Sequence, residues 1–149
     1  KINSEEKIQL SRNISITPFL VPHRDEFSET VGYKIEGPKK TILFIPDIDK
    51  WEKWRKELVK EIKKVDLALL DGTFYDSKEI NNRNISEVPH PFVTETMDLL
   101  GNEPKNEKLK IKFIHLNHTN PLLDSFSLES NTVIKNGFSI AKFKELISL

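Results

Sequence analysis

Four residues able to do chemistry stand at or just after the ends of apolar runs that predict β-strands: His23, Asp47, Asp71 and His115. Open α/β sheets place their functional sites at the carboxyl ends of the strands. Imidazole and carboxylate together suit zinc, iron or manganese. Taken singly, a histidine in a loop is more often a surface residue or a local hydrogen-bond partner. Because four such residues end predicted strands, we expect a shared site.

The elements that must position these side chains alternate between strands and helices. Short apolar runs and period-two alternation predict strands at Ile8–Val21 (one or two strands), Val31–Glu36, Thr41–Ile45, Val65–Leu70, Lys110–Ile114 and near Thr132–Ile134. Helices are predicted after Asp49, where Trp51, Trp54, Leu58 and Ile62 share one face, at Phe92–Leu100, and from Ala141 onward. This order predicts an α/β fold, with a mixed sheet because a hairpin precedes the β-helix-β pattern.

Composition excludes several classes of protein. The chain has 149 residues, so by length it is one domain or part of one. Its 23 basic and 23 acidic residues cancel, which argues against a general nucleic-acid binder. The lack of cysteine excludes disulfides, iron–sulfur clusters and a cysteine nucleophile within this chain. No apolar run could cross a membrane and no secretory signal opens the chain, so we expect a cytoplasmic protein without a membrane partner.

Five segments carry a family resemblance, and they occur in the family's order. They are Val21–Glu26, Ser28–Tyr33, Phe44–Trp51, Leu69–Phe74 and Phe113–Pro121. Together they resemble the metallo-β-lactamase superfamily, and within it the PQQ-biosynthesis protein B family. The resemblance runs from about Phe19 to Ala141, and the run from His115 to Pro121 is its most specific part.

The resemblance implies an αββα sandwich with a mono- or dinuclear metal site at one edge of its two sheets. The superfamily's main ligand motif, HxHxDH, lies in the first half of that fold and does not occur in this sequence. We therefore expect residues 1–149 to form a single domain that corresponds to the C-terminal half of the fold. The chain begins at Lys1 rather than Met, as a processed, trimmed or internal piece would.

The resemblance also implies roles for particular residues. His23, Asp47 and His115 match metal ligands of the superfamily, and Asp47 matches the aspartate that can bridge two metals. His118 receives no ligand role, because the PQQ branch often has asparagine there.

Asp71 and His90 resemble a pair found in the phosphodiesterase-like members of the superfamily, in which an acidic residue at a strand end pairs with a histidine just before a helix. A carboxylate that orients an imidazole raises its pKa, so the imidazole can act as general acid near neutral pH. The alternative is that Asp71 only caps a turn with Gly72 and Thr73, and that His90, between two prolines, is a rigid surface residue.

The expected function is that of a metal-dependent hydrolase with a small-molecule substrate, in which a water of lowered pKa is the nucleophile. Zinc is the expected metal, although iron or manganese would suit the same ligands, and iron would suit an oxidation of a PQQ precursor. The alternative is a non-catalytic half-domain that is structural or works only with a partner. In either case we expect pairing, with a second copy or with the missing N-terminal half.

Overall fold

The computed structural model describes residues 2–80 and 88–149 and contains one seven-stranded sheet whose strands lie side by side in chain order. The strands are β1 (Ile8–Ser11), β2 (Ile14–Val21), β3 (Thr30–Glu36), β4 (Thr41–Ile45), β5 (Leu67–Asp71), β6 (Ile111–Ile114) and β7 (Ser139–Ile140). The helices are α1 (Leu58–Ile62), α2 (Val93–Leu99), α3 (Lys105–Lys108) and α4 (Leu128–Lys135). Within the described ranges, no helix is long and apolar enough to cross a membrane.

The strand directions bring the predicted site residues to one edge. The pairs from β1 to β4 are antiparallel, and the pairs from β4 to β7 are parallel. Strand β2 therefore runs in the same direction as β4, β5 and β6, because two antiparallel steps restore the direction. The carboxyl ends of these four strands share one edge, and the predicted mixed α/β sheet with flanking helices is confirmed.

The predicted helix after Asp49 is wrong in its continuity but right in its buried face. A 3-10 turn at Trp51–Lys53 is followed by extended backbone at Trp54, and α1 begins only at Leu58. Both tryptophans are anchored through their indole nitrogens: Nε1 of Trp51 donates to Oγ1 of Thr96 over 2.8 Å, and Nε1 of Trp54 donates to the Leu20 carbonyl over 3.1 Å. These tertiary hydrogen bonds hold Trp51 against α2 and Trp54 against β2.

The predicted strand near Thr132–Ile134 and the predicted helix from Ala141 are also wrong. Thr132 lies in α4, which begins after Ser127, whose hydroxyl accepts from the Ser130 backbone. Thr132 fits the helix because its Oγ1 donates to the carbonyl four residues earlier, over 2.8 Å. The chain after β7 forms no helix in the structure. The strand prediction near Thr132 failed because the preference of β-branched residues for strands is weak, and packing in the folded chain can override it.

The two faces of the sheet differ in their cover. On one face the side chains are fully buried beneath the helices and tryptophans, as for Ile45, Leu70 and Phe113, each 0% exposed. On the other face several apolar side chains remain partly or largely exposed, although Pro18 and Ile42 are buried there. The partly or largely exposed apolar side chains of that second face, called the open face below, are Ile16, Leu20, Val31, Tyr33, Ile35, Phe44, Leu67, Leu69 and Ile114.

Neighbouring residues of β5 test this difference in cover. We expect Leu70→Ala to lower the free energy of unfolding by about 2–5 kcal/mol, because it leaves a cavity in a closed core. Leu69→Ala should cost much less, since Leu69 is only half-buried on the open face. Urea unfolding of both variants, followed by circular dichroism, measures the difference. Equal losses would mean that the open face is covered in solution.

Candidate metal centre

Five side chains predicted to act in catalysis or metal binding lie together at the carboxyl edge of the sheet. His23 follows β2, Asp47 follows β4, Asp71 ends β5 and His115 follows β6, while His90 comes from the segment before α2. Among the described residues, two groups have ligand atoms within 4.8 Å of one another: His23, Asp47 and His90, and Asp47, Asp71 and His115. Asp47 belongs to both groups.

Backbone hydrogen bonds tie the loops at this edge to each other. The Asp49 backbone donates to the Pro22 carbonyl over 2.7 Å, which joins the loop after β4 to the loop after β2. Gly72 donates to the Ile114 carbonyl over 2.9 Å, which joins the ends of β5 and β6. A β-carbon at position 72 would lie 3.0 Å from Cβ of Phe113 and 3.1 Å from the Ile114 oxygen, so glycine permits this close approach.

The segment that carries His90 is held in place by the segment that follows β5. Phe92 forms a parallel β-bridge with Phe74, and the Val93 backbone donates to the Phe74 carbonyl over 3.0 Å. The Phe74 ring meets the His90 ring edge-on, with centroids 5.9 Å apart. This segment is therefore docked beside the end of β5, and it carries His90 to Asp71.

Asp71 is buried and accepts four hydrogen bonds. Its Oδ1 accepts from the backbone and the hydroxyl of Thr73, over 2.8 Å and 2.6 Å. Its Oδ2 accepts from the Ile48 backbone over 3.2 Å and from Nδ1 of His90 over 2.9 Å. A carboxylate has about four acceptor sites, so these bonds occupy all of them. Asp71 is therefore suited to orienting its neighbours, and it has no acceptor site left over for a metal.

Asp47 is placed between two histidines and has a spare oxygen. Its Oδ2 lies 3.3 Å from Nε2 of His23, and its Oδ1 lies 3.4 Å from Nδ1 of His90. Oδ1 of Asp47 and Nδ1 of His23 are both buried without a hydrogen bond among the described residues. In the case of Asp47, Nδ1 of His90 is near but hydrogen-bonds to Asp71 instead. Buried polar atoms are normally paired. A carboxylate oxygen and an imidazole nitrogen left over are donors that zinc, iron or manganese accepts, so the residues present fit such a metal.

His115 occupies an uncommon backbone conformation at the end of β6. Its φ is +61°, in the left-handed region that residues other than glycine seldom adopt. Such strained positions cluster at functional sites. Nδ1 of its ring lies 3.1 Å from Oγ1 of Thr73, which links it to the hydrogen bonds around Asp71.

The environment of His90 raises the pKa of its imidazole above the ordinary value. Burial acts in the opposite direction, because it disfavours the charged ring. The hydrogen bond to Asp71 and the negative charges of Asp71, Asp47 and Asp49 outweigh burial. A protonated His90 would then keep one N–H on Asp71 and could donate the other, as the predicted general acid requires.

Two further residues show what sequence reasoning missed or set aside. Asn120 is 2% exposed; its amide donates to the carbonyls of Gly72 and Thr73 over 2.7 Å and 3.1 Å, so it holds the loop after β5. Its place in an Asn-Pro pair predicts only a turn. His118 is exposed, and its Nδ1 lies 3.0 Å from Oδ1 of the neighbouring Asn117.

Comparison with known proteins defines the family. Residues 1–113 match the model of the β-lactamase superfamily domain. The chain therefore belongs to this superfamily, and its resemblance to the branch of PQQ synthesis protein B is confirmed. It is 28% identical to coenzyme PQQ synthesis protein B of Nitrosococcus oceani, over 85% of this chain and 43% of that protein. It is 29% identical to the Gluconobacter oxydans protein of the same name, over 76% of this chain and 38% of that protein.

Solved structures give the same fold. Zinc-bound PqqB from Methylobacterium extorquens superposes with a TM-score of 0.77 at 24% identity, covering 99% of this chain and 51% of that one. The metallo-β-lactamase fold protein YhfI from Bacillus subtilis superposes with a TM-score of 0.59 at 13% identity, covering 94% and 50%. The chain thus spans about half the length, or less, of the relatives it matches.

The contact between His90 and Asp71 predicts a pH-dependent stability. A native pKa above the ordinary value of about 6.5 adds stability at low pH, and this contribution is lost as the pH rises through the native pKa. In the metal-free protein, His90→Gln should therefore lose more stability at pH 6 than at pH 8.5. Urea unfolding in the presence of a chelator measures both differences. A loss that does not depend on pH, or that grows with pH, would contradict the raised pKa.

Proposed function

We propose that this chain provides residues of a metal-dependent hydrolytic centre that acts on a small-molecule substrate, as part of a protein of the PQQ synthesis protein B type. The observation that carries this proposal is the position of Asp47, which belongs to both groups of possible ligand atoms, with His23 in one group and His115 in the other. His23, Asp47 and His115 would hold the metal. A divalent metal there would supply a water of lowered pKa and polarise the scissile bond.

The other residues of the site have roles that follow from their contacts. Asp71 orients His90, and His90 donates a proton to the leaving group through the nitrogen that faces away from Asp71. A cavity of about 470 Å³ adjoins His90 and His23, which is a size suited to a small molecule. Its described lining comprises His23, Arg24, Phe74, Ile80, Val88, Pro89 and His90.

Zinc is the metal we propose for this centre. Two imidazoles and a carboxylate are among the donor sets that catalytic zinc takes. The solved PqqB from Methylobacterium extorquens is zinc-bound, which supports the same choice here. Iron or manganese would also suit these donors, and iron would redirect the chemistry from hydrolysis to oxidation.

A second candidate is a half-domain that does no chemistry alone and works with a partner. Two observations favour it: the open face exposes apolar side chains, with Leu20 48% exposed, and the chain spans about half of its relatives. Three ligands shared between two metal positions would hold each metal weakly. We propose that the open face pairs with a second copy or with the other half of the fold, which would correspond to the N-terminal part.

Metal titration with a ligand variant tests the hydrolase proposal. We expect zinc to bind the wild-type chain, and Asp47→Asn to weaken that binding at least tenfold, since it removes the shared carboxylate. His118→Gln is the matched control, because His118 is exposed and its ring hydrogen-bonds to the neighbouring Asn117, outside the proposed ligand set. Hydrolysis of a generic phosphodiester, bis(p-nitrophenyl) phosphate, should fall with zinc affinity. Equal zinc binding by the two variants would contradict the ligand assignment.

Affinity and oligomeric state together separate the two candidates. If the site is incomplete, isothermal titration at pH 7.5 should give a zinc dissociation constant above the submicromolar range, because few ligands and the loss of an imidazole proton both weaken binding. Light scattering should then show pairing through the open face. Submicromolar stoichiometric binding by a strict monomer would show that this chain builds a full site by itself.

A further inference from the structure

Thr73 lies between Asp71 and His115 in the candidate site, and nothing in the proposed function assigns it a role. It is 8% exposed and follows Asp71 by two residues. Its hydroxyl oxygen lies 2.6 Å from Oδ1 of Asp71 and 3.1 Å from Nδ1 of His115. One hydroxyl thus bridges the buried carboxylate and a histidine that is proposed to bind metal.

The direction of these two hydrogen bonds follows from counting protons. A threonine hydroxyl has one proton to donate and lone pairs to accept with. Donor groups face Asp71 at all four of its acceptor sites, and the Thr73 hydroxyl is one of them. The hydroxyl proton of Thr73 therefore points to Asp71. Oγ1 faces His115 as an acceptor, and only a protonated Nδ1 can donate to it.

We infer that Thr73 is a positioning residue that fixes His115 as the Nδ1–H tautomer and so leaves Nε2 as the ring nitrogen with a lone pair for a metal. In a neutral imidazole one nitrogen carries the proton and the other accepts, so the hydrogen bond at one nitrogen decides what the other can bind. Asp71 thereby determines which ring nitrogen carries the proton in both histidines. It acts on His90 by direct contact and on His115 through Thr73. The metal-binding consequence rests on the proposed function, while the tautomer does not.

The hydroxyl itself is held rigidly. The Thr73 backbone donates to Asp71, and its carbonyl accepts from the Asn117 backbone over 3.0 Å and from Nδ2 of Asn120 over 3.1 Å. A fixed acceptor loses little conformational freedom when it orients a histidine. Metal-binding histidines usually donate their other ring N–H to such an acceptor, which fixes the tautomer and the orientation of the ring.

Two substitutions separate the hydroxyl from the shape of the side chain. Thr73→Val keeps the shape and removes the hydroxyl, while Thr73→Ser keeps the hydroxyl. In long-range ¹H–¹⁵N spectra of the metal-free full chain at pH 8.5, assigned with His115→Gln, we expect wild type and Thr73→Ser to show the Nδ1–H tautomer. Thr73→Val should lose it. In competition with a chromophoric chelator, Thr73→Val should bind zinc about 10–100-fold more weakly than Thr73→Ser.

Each failure has a distinct meaning. An Nε2–H tautomer of His115 in the wild type would overturn the inference, as would equal zinc affinities of Thr73→Val and Thr73→Ser. If Thr73→Val does not fold by circular dichroism, the tautomer of the wild type decides the question, because it needs no variant. If the wild type binds no zinc, the proposed function fails, and the wild-type tautomer still tests the role of Thr73.

Discussion

The buried carboxylate of Asp71 is the group on which the rest of the candidate site depends. A buried charge is costly unless it is paired and hydrogen-bonded, and its donors here come from three separate segments. Ile48 lies after β4, Thr73 lies after β5, and His90 lies before α2. Satisfying this one charge therefore requires three loops to adopt a single arrangement, which is the arrangement that gathers the proposed ligands.

Two aspartates at neighbouring strand ends do different work because their surroundings differ. All four acceptor sites of Asp71 are taken by hydrogen-bond donors, so it can orient imidazoles. Asp47 keeps a buried oxygen without a hydrogen bond among the described residues and lies between His23 and His90. The number of donors around each carboxylate therefore distinguishes Asp71, which can orient its neighbours, from Asp47, which is proposed to bind the metal.

The sequence predicted the position of the site better than its internal contacts. His23, Asp47, Asp71 and His115 end buried strands, and strand ends can be recognised from apolar runs and the residues that break them. The contact of Asp71 with His90 followed from family resemblance. The roles of Thr73 and Asn120 depend on loops that meet only in the folded chain, where no local pattern marks them. Helix boundaries failed where tertiary hydrogen bonds, such as those of Trp51 and Trp54, outweighed periodicity.

The same strand directions connect the site to the open face. Strands β2, β4, β5 and β6 end at the site, and each carries at least one partly exposed apolar side chain on the open face. Under the proposed pairing, a second layer on that surface would approach the edge where Asp47 and His115 lie, and any ligands that it carried would complete the metal positions. Metal binding and docking would then strengthen each other equally, because coupling between two binding events is reciprocal. Weak metal affinity of the separate chain and exposure of its open face would have one common physical cause.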